Sequence, residues 1–575
     1  MISIPRFSKT KYSLLLAVFA ASALILARLH CASVYRVDSD EPQHLHVVWG
    51  VANGLVQYRD IFDNHSPLFH LLCAPIFRAL GDQAEILTRM RLAMIPLYLG
   101  CIGCVYGIGA TLFSRRCGIL AAVLAAFAPR FFCTSIEFRP DTLWALAWLL
   151  SLAALTCARR PVARWFAGGL LLGAAFSLSM KSTLMALDLA GAGAFTWLVC
   201  RKNLGRPGLL RGARAAALFL GGLAVVPSLL LLRFASLNAL GALGYCLIRH
   251  NLIAAAERTR PAGLRELAVL GAFGLLLWWS RRMFRSTPDP ALGARRVFLL
   301  LACGLYPVLL FVFWPLVTRE DFLPLLPAIC LGVVPVLLEI LDPLASRISR
   351  PGWITAAVAA CLVAAEIHAD ISAIRPWQNR TGLQARFIAQ TLRLTDPGDY
   401  VMDAKGETIY RKRPYYYVLE EMTRWKFKRG QLADDIPERM ISQRVCVATK
   451  CYQRYPLRTA GFLKANFVPV GYRLLVAGKI LRPDRSGKAI GFSLAIPSEY
   501  ALAWRSGQGE ALLDGCPYTA PVRLEAGPHT LQILRGSGPV AIVWARAIQR
   551  GFHPFYLPSK EEKRELGQAI RDNIL

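Results

Sequence analysis

Eleven apolar runs of near-bilayer length divide this chain of 575 residues, at 12–30, 92–113, 117–133, 141–158, 165–180, 183–200, 213–232, 264–280, 297–315, 322–341 and 353–370. A hydrocarbon core about 30 Å thick takes roughly 20 apolar residues in helical form, and an isolated segment there can satisfy its backbone only as a helix. The runs predict an α-helical polytopic membrane protein of about eleven transmembrane helices. The first run follows RFSKTK and lacks a small-residue cleavage site, so it reads as a retained helix rather than a removed signal peptide. The runs are almost free of charge, Asp188 being the notable internal acid.

The formal charge is +30. In a soluble chain that would suggest nucleic acid, but here the cations sit in short clusters between apolar runs. With the N-terminus inside, SRRC, ARRPVAR, RKNLGRPGLLRGAR, SRRMFR and SRISR all fall in inside loops, whereas DSDEP, EFRPD and TRED fall outside. The 233–263 loop, with Arg233, Arg249, Arg258 and Arg260, is outside yet basic. An odd number of spans puts everything after about residue 371 outside as well. The Arg- and Ala-rich composition points to a bacterial inner membrane, with a cytoplasmic N-terminus, a periplasmic tail and no nucleic-acid partner.

Residues 1–370 read as one transmembrane module, with a first outer loop at 31–91. In the tail, 371–460 predicts a small α/β subdomain. Period-2 alternation split by Gly, Pro and Asp turns predicts a β-sandwich over 461–575, ending in a charged helix, SKEEKRELGQAIRDNIL. Most of the 15 cysteines lie in apolar runs as small hydrophobes. Cys446 and Cys451 in CVATKC fit either a disulfide or two free thiols.

The stretch from Tyr35 to Phe69 holds five acidic residues and three histidines just beyond the first run. Leu45, Val48, Trp49 and Ala52 predict an amphipathic interfacial helix starting at Asp40 and ending at Gly54. Asp38 or Asp40 capping that helix is the plainer account of the acids. Capping does not explain why Glu41 and His44 share a face with Asp40, nor a second cluster, Asp60, Asp63 and His65. Glu41, His44 and His65 form a candidate set of ligands for a divalent metal (Zn, Mg or Mn), although no cofactor is certain.

An Asp-Glu pair after the first span, then YRDIF and HSPLF leading back into the membrane, resembles the GT-C superfamily of membrane glycosyltransferases. The branch is that of protein O-mannosyltransferases and lipid A aminoarabinose transferases. TREDFLPLLPAICLG and IEFRPDTLWAL are similar to two further elements of that family, and the resemblance covers roughly residues 12–370. It implies transfer of a sugar from a polyprenyl-phosphate donor to an acceptor hydroxyl at the outer face, with inversion. The acceptor would be a glycolipid, lipopolysaccharide, another glycan or a protein, and membrane lipid would surround the enzyme. Asp40 matches the family's catalytic aspartate, and Glu41 would orient it or bind metal weakly. Asp63 stands where the family carries a further acid, but at a different spacing that leaves its role open.

Such a reaction needs cations to hold the leaving phosphate. Arg319, Lys181 and Arg139 are the candidates, snorkelling at helix ends being the plainer account of Arg139 and Lys181. Arg249 and His65, with Asp63, are candidates for the acceptor side. Two other functions fit a polytopic chain: a transporter or flippase, and an en bloc glycan ligase using a pyrophosphate-linked donor. The scarcity of charge within the spans argues against transport. The Asp-Glu motif suits a monophosphate donor.

Overall fold

The computed structural model describes residues 9–204, 209–251, 263–314, 317–345, 351–483, 488–560, 562–564 and 567. The chain forms two compact units. One comprises Met1–Arg36, Asn64–Leu72 and Thr88–Asn379, the other Val37–Asp63, Cys73–Leu87 and Arg380–Leu575.

The first unit is helical. Helix covers most of each of the eleven apolar runs, and among the described residues seven helices are long and apolar enough to cross a bilayer. These are Ile86–Leu112, Ser182–Arg201, Leu210–Ser236, Leu264–Ser286, Pro290–Phe313, Arg319–Leu341 and Thr355–Ile374. Val18–Val34, Asp141–Cys157 and Pro161–Phe176 are shorter apolar helices. The 117–133 run is not continuous. It divides into Arg115–Phe127 and Pro129–Thr134, because Pro129 has no N–H to extend the first helix and instead occupies the first turn of the next. The chain is a multi-pass membrane protein.

Close helix packing in this unit depends on small residues, as expected where lipid is as apolar as leucine. A Cβ on Gly169 would lie 2.0 Å from the Phe219 carbonyl oxygen, and one on Gly173 would lie 2.3 Å from that of Leu223. Asp188 is fully buried in Ser182–Arg201. The basic loop SRISR, together with Arg258 and Arg260, lies outside the described residues.

The second unit combines the Asp40–Ala52 helix with the β-rich tail. Its strands are β1 (Val401–Met402), β2 (Val447–Thr449), β3 (Phe467–Pro469), β4 (Leu474–Leu481), β5 (Ile490–Leu494), β6 (Ser498–Trp504), β7 (Glu510–Leu513), β8 (Cys516–Pro517), β9 (Val522–Leu524), β10 (Gly527–Arg535) and β11 (Val540–Trp544). One sheet has the order β1-β2-β4-β11-β6-β9, with β3 also on β4; the second has the order β5-β10-β7-β8. β11 is central, pairing Val540 with Leu481 on one side and Trp504 on the other, and all five of its residues are buried. A continuous apolar run is what a strand covered on both faces requires.

The first sheet crosses residue 460, since β1 and β2 join it through β4. Cys446 and Cys451 are free, buried thiols. Most of the expected charged helix at 559–575 lies outside the described residues.

Candidate active site

In the second unit, the start of the Asp40–Ala52 helix assigns its acids different tasks. Asp38 Oδ1 accepts the Asp40 N–H at 3.0 Å, and Glu41 Oε2 accepts the Asp38 N–H at 2.9 Å. This reciprocal capping satisfies donors that a helix start leaves without intrahelical partners. Asp38 is therefore the cap, and Glu41 is a fully buried brace. Asp40 is a quarter exposed, and its carboxylate receives the ammonium of Lys405, 365 residues further along the chain.

Lys405 is held by a tight loop. Asp403 accepts the backbone N–H groups of Gly406 at 2.9 Å and Thr408 at 3.0 Å, the Thr408 hydroxyl at 2.6 Å and Arg413 Nε at 2.7 Å. Burial opposes ionisation of Asp403, but Arg413, His46 and these hydrogen bonds outweigh it and hold the carboxyl below the usual range. Gly406 sits at φ +77°, where a Cβ would come 2.8 Å from that of His46, so the loop lies on the helix as only glycine permits. His46 Nδ1 lies 2.8 Å from the Ile409 carbonyl oxygen, and burial pushes its imidazole pKa down. Asp63 is fully buried, accepting Gln57 Nε2 at 2.7 Å and Gln43 Nε2 at 3.4 Å.

In the first unit, the segments 137–141 and 318–321 interlock. Glu137 Oε1 lies 3.0 Å from Arg36 Nη2 and 3.5 Å from Arg319 Nη1. Arg139 pairs with Asp141 at 3.1 Å and Glu320 at 3.3 Å. Lys181 Nζ reaches Asp321 at 2.6 Å and the Thr318 hydroxyl at 3.0 Å. The acids lie inward: Glu137 and Asp321 have fully buried side chains, whereas those of Arg319 and Lys181 are 44% and 23% exposed. The network thus shows a positive face and keeps its compensating charge beneath. Arg139 is almost buried and positions Glu320 rather than meeting solvent. His65 is half-buried, and Arg249 is exposed at the end of Tyr245–Arg249. Asn251 Nδ2 donates to the Asn64 carbonyl at 3.0 Å, joining their two segments. Among the described residues no ion pair ties Arg249 to the cation network.

Residues 64–230 match the profile of the dolichyl-phosphate-mannose-protein mannosyltransferase family. ArnT from Cupriavidus metallidurans bound to undecaprenyl phosphate superposes with a TM-score of 0.54 at 14% identity, covering 82% of this chain and 98% of that one. The fold is similar to that of ArnT. The apo state of the same ArnT gives 0.51 at 14% identity, with the same coverage. Archaeal oligosaccharyltransferase AglB from Archaeoglobus fulgidus, in complex with an inhibitory peptide and a dolichol-phosphate, gives 0.43 at 13% identity, over 80% of this chain and 73% of that one. Among curated proteins, none matches the chain.

The candidate metal set is not formed. Among the described residues no three His, Cys, Asp or Glu side chains stand close enough to hold an ion. Two charged residues of these networks, one in each unit, escape a reading of the sequence. Arg36 lies in the acidic stretch but shows its importance only through Glu137. Lys405 lies in DAKGET, where an acid and a glycine flanking a lysine mark a turn and nothing more.

Proposed function

We propose that this chain is an inverting glycosyltransferase, moving a sugar from a polyprenyl-phosphate donor to a hydroxyl of a glycolipid, lipopolysaccharide, other glycan or protein at the outer face of a bacterial inner membrane. The observation that carries this reading is Asp40, a part-exposed carboxylate at the start of its helix that a distant lysine holds in place. The undecaprenyl phosphate bound to the similarly folded ArnT supports the donor class.

The acceptor oxygen attacks the anomeric carbon, Asp40 takes the hydroxyl proton, and the phosphate leaves with the bonding electrons of the sugar–oxygen bond. Arg319 and Lys181 hold the phosphate as its charge builds, Arg319 through its planar fork and Lys181 as a point charge. Arg139 and Arg36 brace Arg319 through Glu320 and Glu137. Lys405 orients Asp40.

The test is to incubate the purified protein with a panel of monophosphate- and pyrophosphate-linked polyprenyl sugars and an envelope extract as acceptor. Consumption confined to a monophosphate donor is expected. Consumption of none, or only of pyrophosphate-linked donors, contradicts the reading. Arg319→Gln is expected to raise the donor KM by about 10–100-fold, the value of one or two charge-assisted hydrogen bonds, with a smaller effect on kcat. Lys405→Met is expected to lower kcat by roughly tenfold at unchanged donor KM, consistent with loss of a single charged contact. Lys405→Arg should restore most of it, and steady-state kinetics on the three variants separates these effects.

A further inference from the structure

The second unit contains a cavity of about 370 Å³ that the transfer chemistry does not use. That is within the size range of small-molecule sites. Its walls include Trp49, Phe62, Tyr400 and Tyr416, with Asp60 and Lys412 among its polar groups. We propose that this cavity binds an anionic saccharide, as the distal part of the acceptor glycan; the acceptor role, though not the binding, rests on the function proposed above.

The aromatic walls are set before any ligand arrives. Phe62 and Tyr416 meet edge to face at 5.4 Å, and Trp49 stacks on His46 at 5.4 Å. The Tyr416 hydroxyl donates to the carbonyl of Tyr58, a residue at φ 73°. Fixed aromatic faces suit the C–H faces of a sugar ring, and they spare the entropy of ordering the site on binding. Fixed polar groups beside them suit its hydroxyls. Asp60 is held by Arg59 at 2.8 Å and by the Val56 N–H at 2.8 Å, and so presents an ordered acceptor.

The charges select the saccharide class. Arg59 balances Asp60, and Asp403 balances Arg413. Lys412 is exposed, and among the described residues it forms no ion pair, so the cavity carries one cation in excess. A carboxylate or phosphate on the sugar would supply its partner.

The position fits an acceptor. Trp49 is nine residues after Asp40 on the same helix, about 13 Å along its axis at 1.5 Å per residue. The loop that brings Lys405 to Asp40 also delivers Lys412 and Arg413 to the cavity, and the Val401 N–H pins it by donating to the Lys412 carbonyl at 3.0 Å. A glycan seated there extends along the helix toward Asp40 with its reacting sugar beyond the cavity.

The experiment uses the full chain in nanodiscs without donor, titrated calorimetrically with maltotriose, with a hyaluronan tetrasaccharide bearing glucuronate, and with a tetraglutamate peptide. The hyaluronan fragment is expected to bind at least tenfold more tightly than maltotriose, and the peptide not to bind. Lys412→Ala should abolish the preference between the two sugars. Tyr400→Ala should weaken both by about tenfold, the value of one aromatic face. Tyr400 is 36% exposed, and both substitutions are at the surface, so folding is retained. Equal binding of the two sugars, wild-type affinity in both variants, or binding of the peptide instead overturns the proposal. Asp40→Asn should bind all three probes as wild type does. Sugar binding without any transfer would sink the acceptor role alone, and transfer without sugar binding would sink the cavity alone.

Discussion

Asp40→Asn is expected to lower sugar transfer by about 10²–10⁴-fold, the contribution of a positioned general base. The amide keeps the shape of the carboxylate and can still accept a hydrogen bond from Lys405, but it cannot take the acceptor's proton. Asp38 and Glu41 retain their capping bonds, because neither uses the Asp40 side chain. The helix start should therefore be intact, and undecaprenyl phosphate should bind as it does to the wild type. Turnover of a polyprenyl-phosphate sugar, measured beside lipid-phosphate binding, separates the two effects. A variant that kept normal turnover would remove Asp40 from the chemistry.

The second large effect is expected at Asp403, the hub of the loop that carries Lys405. Asp403→Ala removes the acceptor of two backbone N–H groups, one hydroxyl and one guanidinium at once. The Arg413 and Asp403 side chains are almost wholly buried, and deleting one partner of such a pair costs about 3–5 kcal/mol. Arg413 keeps the carbonyl oxygens of residues 403 and 404 at 3.0 and 3.3 Å, which puts the expectation at the lower end. A loss of about 3 kcal/mol corresponds to roughly hundredfold faster hydrogen exchange over 403–413. Unchanged protection there would show that the loop does not depend on this carboxylate. The pH dependence has a definite sign. The folded-state pKa of Asp403 is depressed, so its contribution is present above about pH 4, the ordinary value for an aspartate, and fades as pH falls through the lower folded value.

The helical part of the fold was legible because its signal is local. A run of about 20 apolar residues admits little but a helix in lipid, and helix covers most of each of the eleven runs. The break at Pro129 was legible too, in the missing N–H of proline, yet length and apolarity alone carried the run across it. The tail's strands could be read from alternation, whereas their order could not. Nothing near Val447 indicates that it pairs with Val476 and so draws an expected α/β subdomain into the same sheet as the strands that follow.

The site divides in the same way. Asp40, Arg139, Lys181 and Arg319 stood out because an ionised group beside an apolar run needs a reason to be there. Their partners did not. Glu41 and Asp63 carry the same charge as Asp40, and only the structure shows that Glu41 accepts the Asp38 N–H and Asp63 the amide of Gln57. Arg139, equally plausible in sequence as a phosphate ligand, is committed to Asp141 and Glu320.

By itself the sequence determined that the chain enters a membrane, where its helices lie and which charged residues stand at their ends, since each follows from short-range periodicity and the free energy of burying charge. Only the tertiary structure decided which of these acids meets Lys405, a contact made across 365 residues. A contact between two residues so far apart leaves no trace in the local pattern of either.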